Sequence, residues 1–213
     1  MPISANLRLN MTGAERDPVL RAQRYQVAID MAEFADRHGF SSVNVEEHHA
    51  AENGWLPSPL TMAAAIAART ERCGIGVMAL LVTLYDPVRL AEDIAVVDLL
   101  SGGRLTFIAG MGYRETEFHI ANKPFAERGA WMDHVLETLL QAWGDEPFEY
   151  RGKRVNVTPK PYSRPHPFFR VGGMSKPAAR RAARLGLPFA PPVADPELEA
   201  FYHAECEKHG TAG

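Results

Sequence analysis

Ser41 to His49 reads SSVNVEEHH, an alternating β-branched strand that ends in two carboxylates and two imidazoles. Residues of these types could ligate a metal, pass protons, or simply close a strand with polar groups. Neighbouring residues on a strand face opposite ways, so at most alternate members of Glu46, Glu47, His48 and His49 converge on one site. No HxH or aspartate-rich strand tip elsewhere supplies further ligands, so no metal centre is expected. His48 and His49 come first because the carboxyl ends of parallel strands are where α/β proteins hold their ligands.

Two glycine-containing turns are the next candidates. Gly110-Met111-Gly112-Tyr113 resembles half of a dinucleotide fingerprint, but its third glycine is absent and the next expected helix starts many residues later. Those glycines suit a backbone that approaches a flat ring. In Val171-Gly172-Gly173-Met174-Ser175 a strand runs through two glycines into a helix, so first-turn amides could meet a phosphate; a plain tight turn explains the spacing as well. Asp86, Arg89, Glu92 and Asp93 read as helix-start chemistry. Met62, Met132, Trp131 and Trp143 read as core, while Met78, near a strand tip, is placed to touch a ligand.

These residues need a framework, and the periodicity supplies one. Strands are expected over Ile3–Leu9, Ser41–Val45, Cys73–Val82, Arg104–Ala109, Phe168–Val171 and Leu187–Ala190. Helices are expected over Pro18–His38, Ser58–Thr70, Asp86 to about Leu100, about Phe125 to Trp143, Lys176–Leu185 and Asp195–His209. Asp17-Pro18, Ser58-Pro59, Asp86-Pro87 and Asp195-Pro196 are cap-and-start pairs, and Ser101-Gly102-Gly103 ends a helix. Gly110 to Lys123 reads as a loop. Phe148–Tyr150 and Arg154–Val157, around Arg151-Gly152-Lys153, read as a hairpin insertion. Six βα units in series suit an open doubly wound sheet or most of a (β/α)8 barrel.

The composition narrows the partners. With 213 residues, 46% of them hydrophobic, the chain can bury a full core and is read as one domain over 1–213. A net charge of -3 with scattered basic residues gives no footprint for nucleic acid. No run approaches a membrane span, and Met1 to Met11 lacks the pattern of a signal peptide. Cys73 and Cys206, far apart and outside any CxxC spacing, fit a reducing cytoplasm.

Five motifs then carry a resemblance. Val45-Glu46-Glu47-His48-His49, Asp86-Pro87-Val88-Arg89-Leu90-Ala91-Glu92-Asp93, Leu99-Leu100-Ser101-Gly102-Gly103-Arg104, Phe125-Ala126-Glu127-Arg128-Gly129 and Val171-Gly172-Gly173 resemble the bacterial luciferase-like family in order and spacing. The resemblance implies a TIM (β/α)8 barrel with a β-hairpin insertion, holding reduced FMN, or in some branches a deazaflavin, at the carboxyl ends of its strands. It implies a flavin-dependent monooxygenase that takes reduced FMN from a separate flavin reductase and uses O2 to oxidise a small-molecule substrate. A deazaflavin-dependent hydride-transfer enzyme and a non-catalytic flavin-binding relative are the alternatives.

Carried over by motif, His48 matches the family's active-site histidine, which places or relays a proton beside the reactive edge of the flavin. Met78 and Ala79 match a strand bulge, often with a non-proline cis peptide, that presses on the ring. Gly172, Gly173 and Ser175 fall where relatives hold the phosphate. Met111 stands where luciferases carry a phosphate-pairing arginine, and Tyr113 where deazaflavin enzymes often carry a glutamate. A homodimer through the early helices is implied as well. Family barrels run on through two more βα units, so the chain is expected to be truncated, exposing two sheet edges and apolar helix faces.

Overall fold

The computed structural model describes residues 4–13 and 16–212. Six strands, β1 (Asn6–Leu9), β2 (Ser42–Val45), β3 (Gly74–Leu81), β4 (Leu105–Gly110), β7 (Phe168–Gly172) and β8 (Phe189–Ala190), form one parallel sheet in the order β1-β2-β3-β4-β7-β8. β1 and β8 are its edges and do not pair, so the sheet is an open part of a barrel. Ile3, expected to open the first strand, lies outside the described residues. β5 (Phe148–Tyr150) and β6 (Lys153–Val155) form the separate antiparallel hairpin. Lys153 belongs to its second strand rather than to the turn, where Arg151 and Gly152 take positive φ.

Local chemistry starts the helices where cap pairs stand. Asp17 accepts the Val19 and Leu20 amides to open α1 (Pro18–Arg37), and Asp86 accepts those of Val88 and Arg89 to open α3 (Pro87–Ser101). Asp195 does the same through Leu198 for α7 (Pro196–His209). Gly102 closes α3 at φ 62°, a left-handed conformation that a Cβ would disfavour. Ser58 does occupy the cap of α2 (Pro59–Arg69), but its hydroxyl makes no capping bond.

Two boundaries differ from expectation. The segment read as a loop after β4 contains a short helix, α4 (Glu115–Ile120), which begins without a side-chain cap at Arg114. The next helix, α5 (Arg128–Trp143), therefore starts later than Phe125. Leu187 packs in the core just ahead of β8, which is only two residues long. α6 (Lys176–Arg184) lies between β7 and β8.

One sheet face forms the core. Val43, Val45, Ile75, Val77, Phe107 and Val171 are buried against apolar residues of α2, α3 and α5, such as Ile66, Ile94 and Leu136. Phe107 and Phe169 stack with ring centroids 4.8 Å apart. The other face mixes polar and small residues with a few large apolar ones, Met78, Ile108 and Phe168 among them. The strand register aligns Arg8, Asn44, Gly76, Thr106 and Phe168 in one row, and Arg8 pairs with Glu46. β3 turns Ile75 and Val77 to the helices and carries Gly74, Gly76 and Met78 on the other side, where Met78 lies over Gly76. Among the described residues, no helix is long and apolar enough to cross a membrane.

Candidate active site

The four residues at the tip of β2 separate onto different partners. Glu46 turns to Arg8 of β1. Glu47 is fully buried; it accepts the Leu81 amide at 2.6 Å and the Tyr85 hydroxyl at 2.5 Å, and its Oε1 lies 2.9 Å from His49 Nε2. Burial and the Glu47 carboxylate push the Tyr85 hydroxyl pKa up. The hydrogen bond to Glu47 raises the His49 pKa, against the effect of burial. His49 and Glu47 thus form a brace between the ends of β2 and β3.

His48 points elsewhere. Its Nδ1 lies 2.9 Å from Oε1 of Glu117 on α4, while its amide donates to the Leu56 carbonyl at 3.1 Å. The same Glu117 oxygen accepts the His49 amide at 3.1 Å and Arg114 Nη1 at 3.2 Å. Arg114 Nη1 also donates to the His49 carbonyl. The Trp55 ring meets His48 edge-on at 4.6 Å between centroids, and Tyr113 does so at 6.0 Å. His48 Nε2 has no hydrogen-bond partner among the described residues, and the side chain keeps 17% of its accessible surface. Among these residues, no three His, Cys, Asp or Glu side chains gather as a metal site.

Glu117, Arg114 and Trp55 were not singled out from the sequence. Arg114 and Glu117 have an i, i+3 spacing that marks them as neighbours on a helix. Nothing local marks Glu117 as the partner of a histidine 69 residues away.

The other candidates share the carboxyl edge of the sheet. The Met78–Ala79 peptide is cis, and the β3–β4 register shifts between Met78 and Leu80. A Cβ on Gly110 would come within 2.9 Å of that of Ala79, so the bulge lies directly against the end of β4. Met111 packs on the core, and its carbonyl accepts the Thr83 hydroxyl at 2.6 Å. Tyr113 is 74% exposed.

The β7–α6 turn runs from Gly172 through Gly173 and Ser175 into α6. Ser175 caps α6 without bonding its hydroxyl to the helix, which leaves that donor available beside the first-turn amide of Lys176. Pro177 removes one amide from this turn. Gly173, at φ 154°, tucks against Ala178, whose Cβ would lie 2.5 Å from any Cβ placed there. The turn makes no hydrogen bond to the His48 group among the described residues. A glycine turn with a free Ser175 hydroxyl at a helix start, a bulge faced by glycine, and an imidazole on one sheet edge fit a phosphorylated ring cofactor such as FMN. Met111 adds no charge to that set.

The partial barrel agrees with the comparisons. The model of the luciferase-like monooxygenase family matches residues 8–210, and the chain belongs to that family. The alkanal monooxygenase beta chain of Photorhabdus luminescens is 27% identical over 188 residues, which cover 84% of this chain and 55% of that protein. The FMNH2-dependent dimethylsulfone monooxygenase of Pseudomonas putida is 28% identical over 167 residues, covering 73% and 45%. The crystal structure of the monooxygenase RslO1 from Streptomyces bottropensis matches with a TM-score of 0.83 at 28% identity, covering 99% of this chain and 68% of that one. The chain spans about half the length of the curated relatives it matches.

Proposed function

We propose that the protein is a flavin-dependent monooxygenase that uses reduced FMN and O2 to oxidise a small organic substrate. The observation that carries this reading is His48, held by Glu117 with Nε2 open at the same sheet edge as the Met78–Ala79 bulge. Reduced FMN, when bound, supplies the electrons that activate O2. Gly172, Gly173 and Ser175 hold its phosphate through backbone amides and a hydroxyl. Met78 and Ala79 support the ring from β3, with Met111 and Tyr113 at the end of β4. His48 takes up a proton on the Nε2 lone pair and returns it. Trp55 packs against His48 and limits water around it.

Reductant comes from a separate flavin reductase, and both buried free thiols, Cys73 and Cys206, suit the reducing cytoplasm. A homodimer is part of the proposal. Val27, Met31 and Phe34 leave an apolar stripe on α1 exposed at 53%, 43% and 56%, with spacing that keeps them on one face. A second copy of the chain is the occupant this stripe fits.

The test is His48→Ala. Loaded anaerobically with reduced FMN and then exposed to oxygen, the variant should keep its flavin affinity and release hydrogen peroxide about tenfold faster or more. An unchanged time course with intact binding would remove His48 from the chemistry.

A further inference from the structure

We infer that Glu117 is a positioning residue that fixes which nitrogen of His48 faces the site; this rests on the reading of His48 as the proton-handling side chain. Glu117 is 1% exposed, and its Oε1 already accepts two N–H groups, from the His49 amide at 3.1 Å and from Arg114 at 3.2 Å. An oxygen engaged by two donors is the acceptor in its third contact as well. Nδ1 of His48, 2.9 Å away, therefore carries the hydrogen and donates it. Nε2 is then the nitrogen with the free lone pair, and it is the one with no partner.

The arrangement is held from several sides. Arg114 bridges Glu117 Oε1 and the His49 carbonyl, so the acceptor and the backbone beside the imidazole are tied to one guanidinium. The His48 amide is fixed on the Leu56 carbonyl and its ring abuts Trp55. Oε2 of Glu117 is buried without a hydrogen-bond partner, so all of the carboxylate's bonding is concentrated on the oxygen that orients His48. Orientation of an imidazole through its second nitrogen determines the tautomer offered to a reacting group.

The tautomer can be read directly on the flavin-free protein. Histidine-15N labelled protein, with His48 assigned by comparison with His48→Gln, is recorded at about pH 9, where imidazole is neutral. Wild type should show His48 with hydrogen on Nδ1 in at least about tenfold excess. Glu117→Gln, whose carbonyl can accept the same three donors, should keep that form. Glu117→Met, close in size but without an acceptor, should let the Nε2–H form become the majority. In the oxygen assay Glu117→Met should follow His48→Ala, and Glu117→Gln should follow wild type.

An Nε2–H tautomer in wild type, or an unchanged tautomer in folded Glu117→Met, would overturn the assignment. If Glu117→Met fails to fold, the wild-type and Glu117→Gln spectra still decide. Failure of reduced FMN to bind would count against the proposed activity and leave the tautomer result standing.

Discussion

His49 Nε2 lies 2.9 Å from Glu47 Oε1, and Glu47 in turn accepts the Leu81 amide of β3. Two neighbouring histidines have therefore been given different work, His49 bracing the strand ends and His48 facing the open site. The brace carries a pH signature. Hydrogen bonding to Glu47 raises the His49 pKa, so its stabilisation is fully present below the ordinary imidazole value of about 6.5 and is lost as pH rises through the raised folded value. His49→Gln should lower the melting temperature more at about pH 6 than at about pH 9. Equal losses at both would contradict the brace.

Asp36 gives the opposite slope. Burial works against its charge, but the amides of Cys73, Glu71 and Arg72 at 2.7, 3.1 and 2.8 Å pull its pKa down to about 2. This contribution is complete above about pH 4 and lost as pH falls through about 2. Asp36→Asn should cost about 1 to 3 kcal/mol at neutral pH. The difference from wild type, measured by urea unfolding, should shrink between about pH 4 and pH 2.

Arg104 of the Ser101-Gly102-Gly103-Arg104 motif donates to the carbonyls of Ala67, Thr70, Cys73 and Ser101 and to the Thr70 hydroxyl. It ties the end of α2 to the start of β4, far from the carboxyl edge. Arg104→Ala should destabilise the fold by about 2 to 3 kcal/mol while leaving the affinity of the folded protein for reduced FMN unchanged. Weakened affinity with unchanged stability would reverse that assignment.

The α1 stripe sets a fourth expectation. Met31→Glu places a charge in the middle of the exposed apolar face and should convert a dimer to a monomer in sedimentation at micromolar concentration. A wild-type protein that sediments as a monomer would refute the dimer outright.

Much of the frame was legible because its signals are local. Asp17-Pro18, Asp86-Pro87 and Asp195-Pro196 open helices through bonds spanning two or three residues, and Gly102 stops one by its own φ. His48 was legible as a strand-tip residue, and so was the β7–α6 turn. α4 was not: six residues without a cap, following two glycines, carry no helical period to read. Its Glu117 meets His48 and His49 through contacts made 69 and 68 residues away, and spacing contains no such information. The inner sheet face was likewise hidden in β3, where the apolar composition does not tell that Asn44 and Met78 close over Gly76 on the side facing away from the helices.

The phosphate assignment separates FMN from riboflavin. Ser175→Ala removes one donor from the β7–α6 turn and should weaken reduced FMN by about fivefold to tenfold while leaving reduced riboflavin unchanged. Equal weakening of both would move the phosphate away from this turn.

Anaerobic titration with reduced FMN, and separately with reduced deazaflavin, followed by intrinsic Trp fluorescence, addresses the central claim most directly. Saturable binding of one reduced FMN per chain, with no comparable binding of the deazaflavin, is the expected result. Binding of the deazaflavin alone, or of neither, would contradict it.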